Sequence, residues 1–248
     1  MEATLTLNSN RVFIHDDVDA LIVHLASVIQ AAAVDCQAAG RHYYLSLAGG
    51  STPKRLYASL ARDDRFDSAL WSAFEIYFGD ERYVPHDSED SNYRMVKQAW
   101  LDHVPIPAAQ VHPVPTQCSD IQDCARNYAD QLATLPQQNG VPCFDLALLG
   151  MGDDGHTASL FPGTPVLNET SRFAAEVFVS KLDSYRITLT YPVLNNARRV
   201  VAMVTGQAKA RMLKQVLTGP DKEYPIQRIS NPHGVDWFVD RAAAEALQ

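Results

Sequence analysis

The chain has 248 residues, 46% of them hydrophobic and 20% charged, which is enough apolar material for a sizeable core and ordinary for a globular protein. A formal net charge of −8 excludes the broadly basic face that nucleic acid or an anionic membrane surface requires, so neither is expected as a partner and any phosphate has to be held by a few local cations. The opening Met-Glu-Ala-Thr-Leu-Thr-Leu lacks the pattern of a signal peptide, and no run reads as the ~18 to 20 apolar residues of a membrane span, so a cytoplasmic protein is expected.

A strand is expected near Val12–Ile14, followed by a long helix that Asp16 and Asp17 can cap. Its apolar residues Leu21, Ile22, Leu25, Val28 and Ile29 recur at helical spacing, and Gly40 ends it. Tyr43–Ala48 reads as a strand, Pro53–Leu60 as a helix, Phe74–Phe78 as a strand, and Tyr93–Leu101 as a helix entered through Ser91 and Asn92. The proline-rich stretch Val104–Pro115 reads as a surface loop, before a helix at Cys124–Leu135 and a strand at Phe144–Leu149. Further strands are expected at Ala174–Val179, Arg186–Thr190, Val200–Thr205 and Trp237–Val239, with helices at Gln207–Leu217 and from Arg241. This alternation implies one α/β domain over residues 1–248, with a mostly parallel twisted sheet covered by helices on both faces. Cys36, Cys118, Cys124 and Cys143 have no metal-ligand spacing, so free thiols are expected, with no disulfide and no structural metal.

Polar residues gather where these strands end. After Tyr43–Ala48 comes Gly49-Gly-Ser-Thr-Pro-Lys-Arg55, in which the glycines permit a tight turn, Pro53 suits the first helical position, and Ser51 or Thr52 caps the helix. Free amides, hydroxyls and the helix dipole make this an anion site, most naturally for phosphate. After Phe74–Phe78 comes Gly79-Asp-Glu-Arg82, where Arg82 can clamp a phosphate or carbonyl while Asp80 and Glu81 orient it or serve as bases. Arg186 opens an otherwise apolar, β-branched strand and needs an anionic partner. Gly206-Gln-Ala-Lys209 places a lysine just inside another strand-to-helix turn.

The richest segment is Leu146-Ala-Leu-Leu-Gly-Met-Gly-Asp-Asp-Gly-His-Thr-Ala-Ser-Leu-Phe161, an apolar strand leading to Asp153, Asp154 and His156. Gly150, Gly152 and Gly155 match G-x-G-x-x-G, and Glu176 stands about 20 residues further on, as in a dinucleotide fingerprint. That reading is rejected, because two aspartates would face the pyrophosphate with no Lys or Arg nearby in sequence, and the turn lies beyond the midpoint of the chain. Ser51 and Ser159 are poor nucleophiles, since G-x-S-x-G is missing. Together the strand ends of one sheet describe a small phosphorylated substrate beside a general acid or base.

The chain resembles the 6-phosphogluconolactonases, within the group that includes the glucosamine-6-phosphate deaminases. The resemblance rests on Ser46–Pro53, Phe78–Pro85 with Ser91 and Asn92, Leu149–Pro162, Arg186–Thr190 and Gly206–Lys209, in family order. It implies a Rossmann-like fold of the NagB/RpiA/CoA transferase-like type and hydrolysis of 6-phospho-D-glucono-1,5-lactone to 6-phosphogluconate, the second step of the oxidative pentose phosphate pathway. It implies no organic cofactor, and no obligate protein partner is evident. His156 matches the family's catalytic histidine. Ser51, Thr52, Arg82, Arg186 and Lys209 match substrate-binding positions, with phosphate expected at Thr52, Arg186 and Lys209, and Gly49, Gly50, Asp80, Asn92 and Gly152 complete the expected binding set. In the expected mechanism neutral His156 activates water, Asp154 or else Asp80 orients the ring or the water, and Arg82 with the amides of the glycine turns meets the oxyanion.

Two departures matter. The deaminases carry a carboxylate five residues after the histidine, where this chain has Phe161, so ring opening through a supported histidine loses a part. The lactonases often have prolines after the lysine that precedes the arginine strand, whereas here the run is Lys181-Leu-Asp-Ser-Tyr-Arg186, which leaves the role of Lys181 open. Beside the lactonase stand two alternatives, an amino-sugar-phosphate deaminase or isomerase, and a phosphosugar-binding regulator without catalysis.

Overall fold

The structure, a computed structural model, describes residues 3–7, 9–220 and 223–247. In chain order the elements are β1 (Ala3–Leu7), β2 (Asn10–His15), α1 (Val18–Ala38), β3 (Tyr43–Leu47), α2 (Ser51–Leu60), α3 (Ser68–Trp71), β4 (Phe74–Phe78), β5 (Asp80–Arg82), α4 (Asn92–Ala99), β6 (Val111–His112) and α5 (Ile121–Leu132). They continue with β7 (Gln137–Gln138), β8 (Val141–Pro142), β9 (Leu146–Gly150), β10 (Ala174–Val179), β11 (Ser184–Leu189), α6 (Tyr191–Asn195), β12 (Val200–Val204), α7 (Ala210–Thr218), β13 (Val235–Asp240) and α8 (Arg241–Ala244).

Eight strands form the main sheet in the order β1-β2-β13-β12-β9-β3-β4-β6, parallel throughout except for the β1–β2 hairpin. From β3 the chain moves outward through β4 to β6, then returns to the other side of β3 and runs through β9 and β12 to β13. The direction of winding therefore reverses between β3 and β9, and the turns that follow those two neighbours face one crevice. The crossovers through α1, α2 and α4 run in one direction along the sheet, with α2 packed against both α1 and α4, and those through α5 and α7 run in the other, so that the right-handed rule for such connections sends the two groups to opposite faces. Strands β9 and β12 are almost wholly buried apolar runs, as strands covered on both faces must be.

The Asp17 carboxylate caps α1 by accepting the Ala20 amide at 2.8 Å, and Gly40, at φ +66°, follows its C-terminus as expected. By length and mean hydropathy, 1.5 over its best window, this helix could cross a membrane, contrary to the sequence reading. Its apolar face, with Leu21, Ile22, Leu25, Ile29 and Ala33 buried, packs instead against the sheet as a core helix.

Several expectations are corrected. Ser51 and Thr52 do not cap α2; Gly50 stands at that position with φ +105° and no side-chain bond, and the two hydroxyl residues are already helical. The strands expected at Ala174–Val179 and Arg186–Thr190 do not join the main sheet, because β10 and β11 pair with β5 in a separate antiparallel sheet, which sets Arg186 opposite Arg82. The proline-rich loop contains β6, and Asn139-Gly140, both at positive φ, turns the unforeseen β7–β8 hairpin. Cys118 and Cys124 are joined as a disulfide, Cα to Cα 5.5 Å, while Cys36 and Cys143 are free and buried. Cys124 lies in the first turn of α5, which brings it back to the loop holding Cys118, a proximity that cysteine spacing did not suggest.

Candidate active site

At the crevice between β3 and β9 lies a cleft of about 250 Å³, walled by Gly49, Gly50, Gly79, Asp80, Arg82, Asn92, Met151, Gly152, His156, Ala158 and Lys209 among others. Two buried tyrosines fix its floor. The Tyr57 hydroxyl donates to the Ala48 carbonyl at 2.7 Å and accepts the Ala48 amide at 3.0 Å, tying down the chain just before the Gly49-Gly50 turn. Tyr128 does the same at Phe78, with bonds of 2.7 and 2.9 Å, just before Gly79. Both strand ends thus keep their backbone groups paired where the ladders stop.

Glycine is required in two of these turns by close approach. A Cβ on Gly152 would overlap the His156 ring, and one on Gly49 would overlap the Asn92 amide. Asn92 itself is buried, and its Nδ2 donates to the Asp80 carbonyl at 3.0 Å, so it braces two turns at once. Ala158 holds φ +46°, an uncommon conformation for a residue with a Cβ, at the tight turn closed by the Thr157–Leu160 bridge.

His156 Nδ1 lies 2.5 Å from Asp154 Oδ1, while Nε2 has no hydrogen-bond partner among the described residues. The other Asp154 oxygen accepts Lys181 Nζ at 3.1 Å. Burial opposes the charge on Asp154, but the bonds from His156 and Lys181 prevail and hold its carboxyl down at about 2. Burial also sets the His156 imidazole below its ordinary 6.5, against the pull of Asp154. At neutral pH the pair is therefore a neutral imidazole donating from Nδ1 to an ionised carboxylate, which leaves Nε2 as a lone-pair acceptor.

Lys209 Nζ reaches Asp153 Oδ1 at 2.5 Å. Both turn aspartates thus have lysine partners, supplied from distant segments, which corrects the premise that they are uncompensated; the late position of the turn still argues against a dinucleotide. The role of Lys181 is answered in the same way, as a hydrogen-bond partner of Asp154.

Of the other expected residues, Arg82 lines the cleft and donates from Nη1 to the Asp90 carbonyl at 2.6 Å, with a buried Nε that has no partner among the described residues. Asp80 accepts the Ser159 hydroxyl at 2.6 Å and stands 3.9 Å from the Arg186 guanidinium. Ser159 is wholly buried and committed to that bond, in keeping with its dismissal as a nucleophile. Glu81 is not available as a base: its oxygens accept the amides of Arg82, Asn92 and Tyr93 and the Ser91 hydroxyl, clamping the start of α4. Ser51, Thr52 and Arg186 lie outside the cleft wall, and the Thr52 hydroxyl bonds that of Thr205 at 2.7 Å. Among the described residues no group of three or more His, Cys, Asp or Glu side chains is placed to hold a metal ion.

Residues 16–238 match the family model described as glucosamine-6-phosphate isomerases/6-phosphogluconolactonase. The chain belongs to the glucosamine-6-phosphate isomerase/6-phosphogluconolactonase family. Within this family it is 42% identical over 209 residues to the 6-phosphogluconolactonase of a Synechocystis strain, covering 82% of this chain and 84% of that one. It is 36% identical over 231 residues to the human 6-phosphogluconolactonase, covering 90% and 88%. The solved structure of 6-phosphogluconolactonase from Trypanosoma cruzi superposes with a TM-score of 0.85 at 28% identity, over the full length of both chains. A monomeric glucosamine-6-phosphate deaminase superposes at 0.79 with 18% identity, over 95% of this chain and 99% of that one, a likeness of fold. The expected architecture is thus the family's own.

Proposed function

We propose that the protein hydrolyses 6-phospho-D-glucono-1,5-lactone to 6-phosphogluconate, the second step of the oxidative pentose phosphate pathway. The observation that carries this reading is His156, engaged through Nδ1 by Asp154 and left with Nε2 unpaired in a cleft that also presents Lys209 and a glycine turn. Similarity to lactonases along nearly the whole chain supports it.

In this reading the ammonium of Lys209 and the uncapped amides at the start of α2 receive the phosphate. Arg186, buried beside Asp80, adds its charge from behind the cleft wall. Thr52 contributes its amide rather than its hydroxyl, which Thr205 occupies. Nε2 of His156 takes a proton from a water whose oxygen attacks the lactone carbonyl. The oxyanion so formed meets Arg82 and turn amides. As the ring C–O bond breaks, the imidazolium returns its proton to the departing ring oxygen, and the new carboxylic acid ionises, releasing one proton to solvent. Asp154 remains ionised throughout and keeps the ring in the tautomer that leaves Nε2 free.

The test is proton release from freshly generated 6-phosphogluconolactone with and without the protein. Release well above the spontaneous rate, and its loss in His156→Gln, are expected; spontaneous-rate release from the folded wild-type protein overturns the reading. Ammonia release from glucosamine 6-phosphate would point instead to the deaminase branch, against which Phe161 already speaks.

A further inference from the structure

The rings of His156 and Phe161 stack at 3.9 Å between centroids, with planes 20° apart. The same Phe161 ring carries the Arg186 guanidinium, whose central carbon lies 5.7 Å from its centroid. Phe161 is only 4% exposed. Among the described residues nothing else fixes Arg186 firmly: its side chain is 11% exposed, the nearest carboxylate is 3.9 Å away, and its Nε has no hydrogen-bond partner. A buried guanidinium held by a ring face rather than by hydrogen bonds keeps its donors uncommitted.

The imidazole is in a similar condition. Its one side-chain hydrogen bond among the described residues, to Asp154, constrains the position of Nδ1 but leaves the ring plane free to turn about the N–H···O axis, a rotation that keeps the bond linear. The direction of the Nε2 lone pair follows that rotation. A flat apolar ring can restrain the plane of an imidazole and of a guanidinium without consuming a donor or acceptor of either.

We propose that Phe161 is a positioning residue, whose ring aligns His156 and Arg186 with each other so that base and cation act on one substrate as a matched pair. The proposal rests on the reading of His156 as the base and Arg186 as a phosphate-side cation. It assigns work to the position at which the deaminases carry a carboxylate: here the histidine is supported by a surface, and the guanidinium is brought to the same surface.

The experiment compares Phe161→Leu, which keeps apolar bulk but removes the ring, with Phe161→Tyr, which keeps the ring, both assayed with 6-phosphogluconolactone across pH. For Phe161→Leu, kcat falls about ten-fold and KM rises about three- to ten-fold, in line with the loss of one stacking and one cation–π contact. The acid limb of kcat/KM moves up towards 6.5 as water reaches the imidazole. Phe161→Tyr recovers most of the loss and restores the limb. Should the leucine variant not fold, Phe161→Met takes its place with the same expectations. The proposal is overturned if the ring-less variant keeps kcat and KM within two-fold of wild type, or if the leucine and tyrosine variants lose equally, which would make Phe161 a matter of packing volume. Failure of the underlying reading is recognised separately: His156→Gln would then keep wild-type turnover whatever happens at Phe161.

Discussion

Lys209 and Asp153, 56 positions apart in the chain, meet at 2.5 Å beside the cleft, so the cation best placed for a phosphate already holds a carboxylate. Asp153 is 76% exposed and its bond is of the solvent-screened kind, worth ~0.2 to 1 kcal/mol, whereas a phosphate offers a stronger charge-assisted partner. Lys209→Ala is expected to raise KM by about ten-fold or more with a smaller effect on kcat, matching the ~1.5 to 3 kcal/mol of a charged hydrogen bond. Asp153→Asn removes the competitor and lowers KM by about two- to five-fold. Steady-state kinetics on the two variants checks both, and a raised KM in Asp153→Asn would mean that the aspartate itself touches substrate.

Replacement of His156 by Gln should reduce kcat by about 10² to 10⁴, the range of a lost general base, without unfolding the protein. Because burial sets the imidazole below 6.5, its neutral form persists into mildly acidic solution, and the acid limb of kcat/KM lies below pH 6.5. Asp154→Asn withdraws the anion that favours the imidazolium, so it lowers activity while moving that limb to still lower pH. A pH–rate profile resolves the two effects; a limb at or above 6.5 in the wild type would contradict the environment described for the ring.

Tyr128 pairs both backbone groups of Phe78 from within the core. Tyr128→Phe leaves a buried amide and carbonyl without that partner and should cost about 1 to 3 kcal/mol in a denaturant titration. Since Phe78 leads directly into Gly79 and Asp80, the variant should also raise KM. Unchanged stability would show that the ladder alone satisfies the strand end.

A second histidine site concerns stability alone. His15 Nε2 stands 2.9 Å from His24 Nδ1, and His15 Nδ1 lies 3.2 Å from the Val239 carbonyl. Burial, ahead of the neighbouring charges of Arg199, Asp236 and Asp16, holds both below 6.5. The unfolded chain therefore takes up protons first as pH falls, so this contribution is complete above about pH 6.5 and is lost as pH drops from there towards the folded values. In His24→Gln the fall in unfolding free energy between pH 7 and pH 5.5 should be shallower than in the wild type; an unchanged slope would remove the pair from the acid response.

The strand ends and their glycine turns were legible because they depend on neighbours in sequence: an apolar run, a residue able to turn, a polar residue next. Asp80, Arg82, His156 and Lys209 could be named that way and do meet in one cleft. What sequence could not supply was pairing across distance. Strand β5 is three charged residues with no apolar alternation, and only its register with β11 makes it a strand. Lys181 on Asp154, Lys209 on Asp153 and Tyr128 at the end of β4 are likewise contacts between remote segments, with no local pattern to announce them. The Asn139-Gly140 hairpin is different, since an Asn-Gly dipeptide is itself a local hairpin signal.

The place of β9 between β3 and β12 bears on how the protein is made. On a ribosome, β3 emerges with roughly a hundred residues, and its partner β4 with roughly seventy, still to be translated before β9 can flank β3. Until then one side of β3 offers open backbone groups and apolar side chains to any passing strand, and aggregation competes with completion. The histidine and the turn that bears it arrive with the strand that closes this side of β3, while the lysines that meet its two aspartates, Lys181 and Lys209, are made only afterwards, so the edge is covered before the site can be complete.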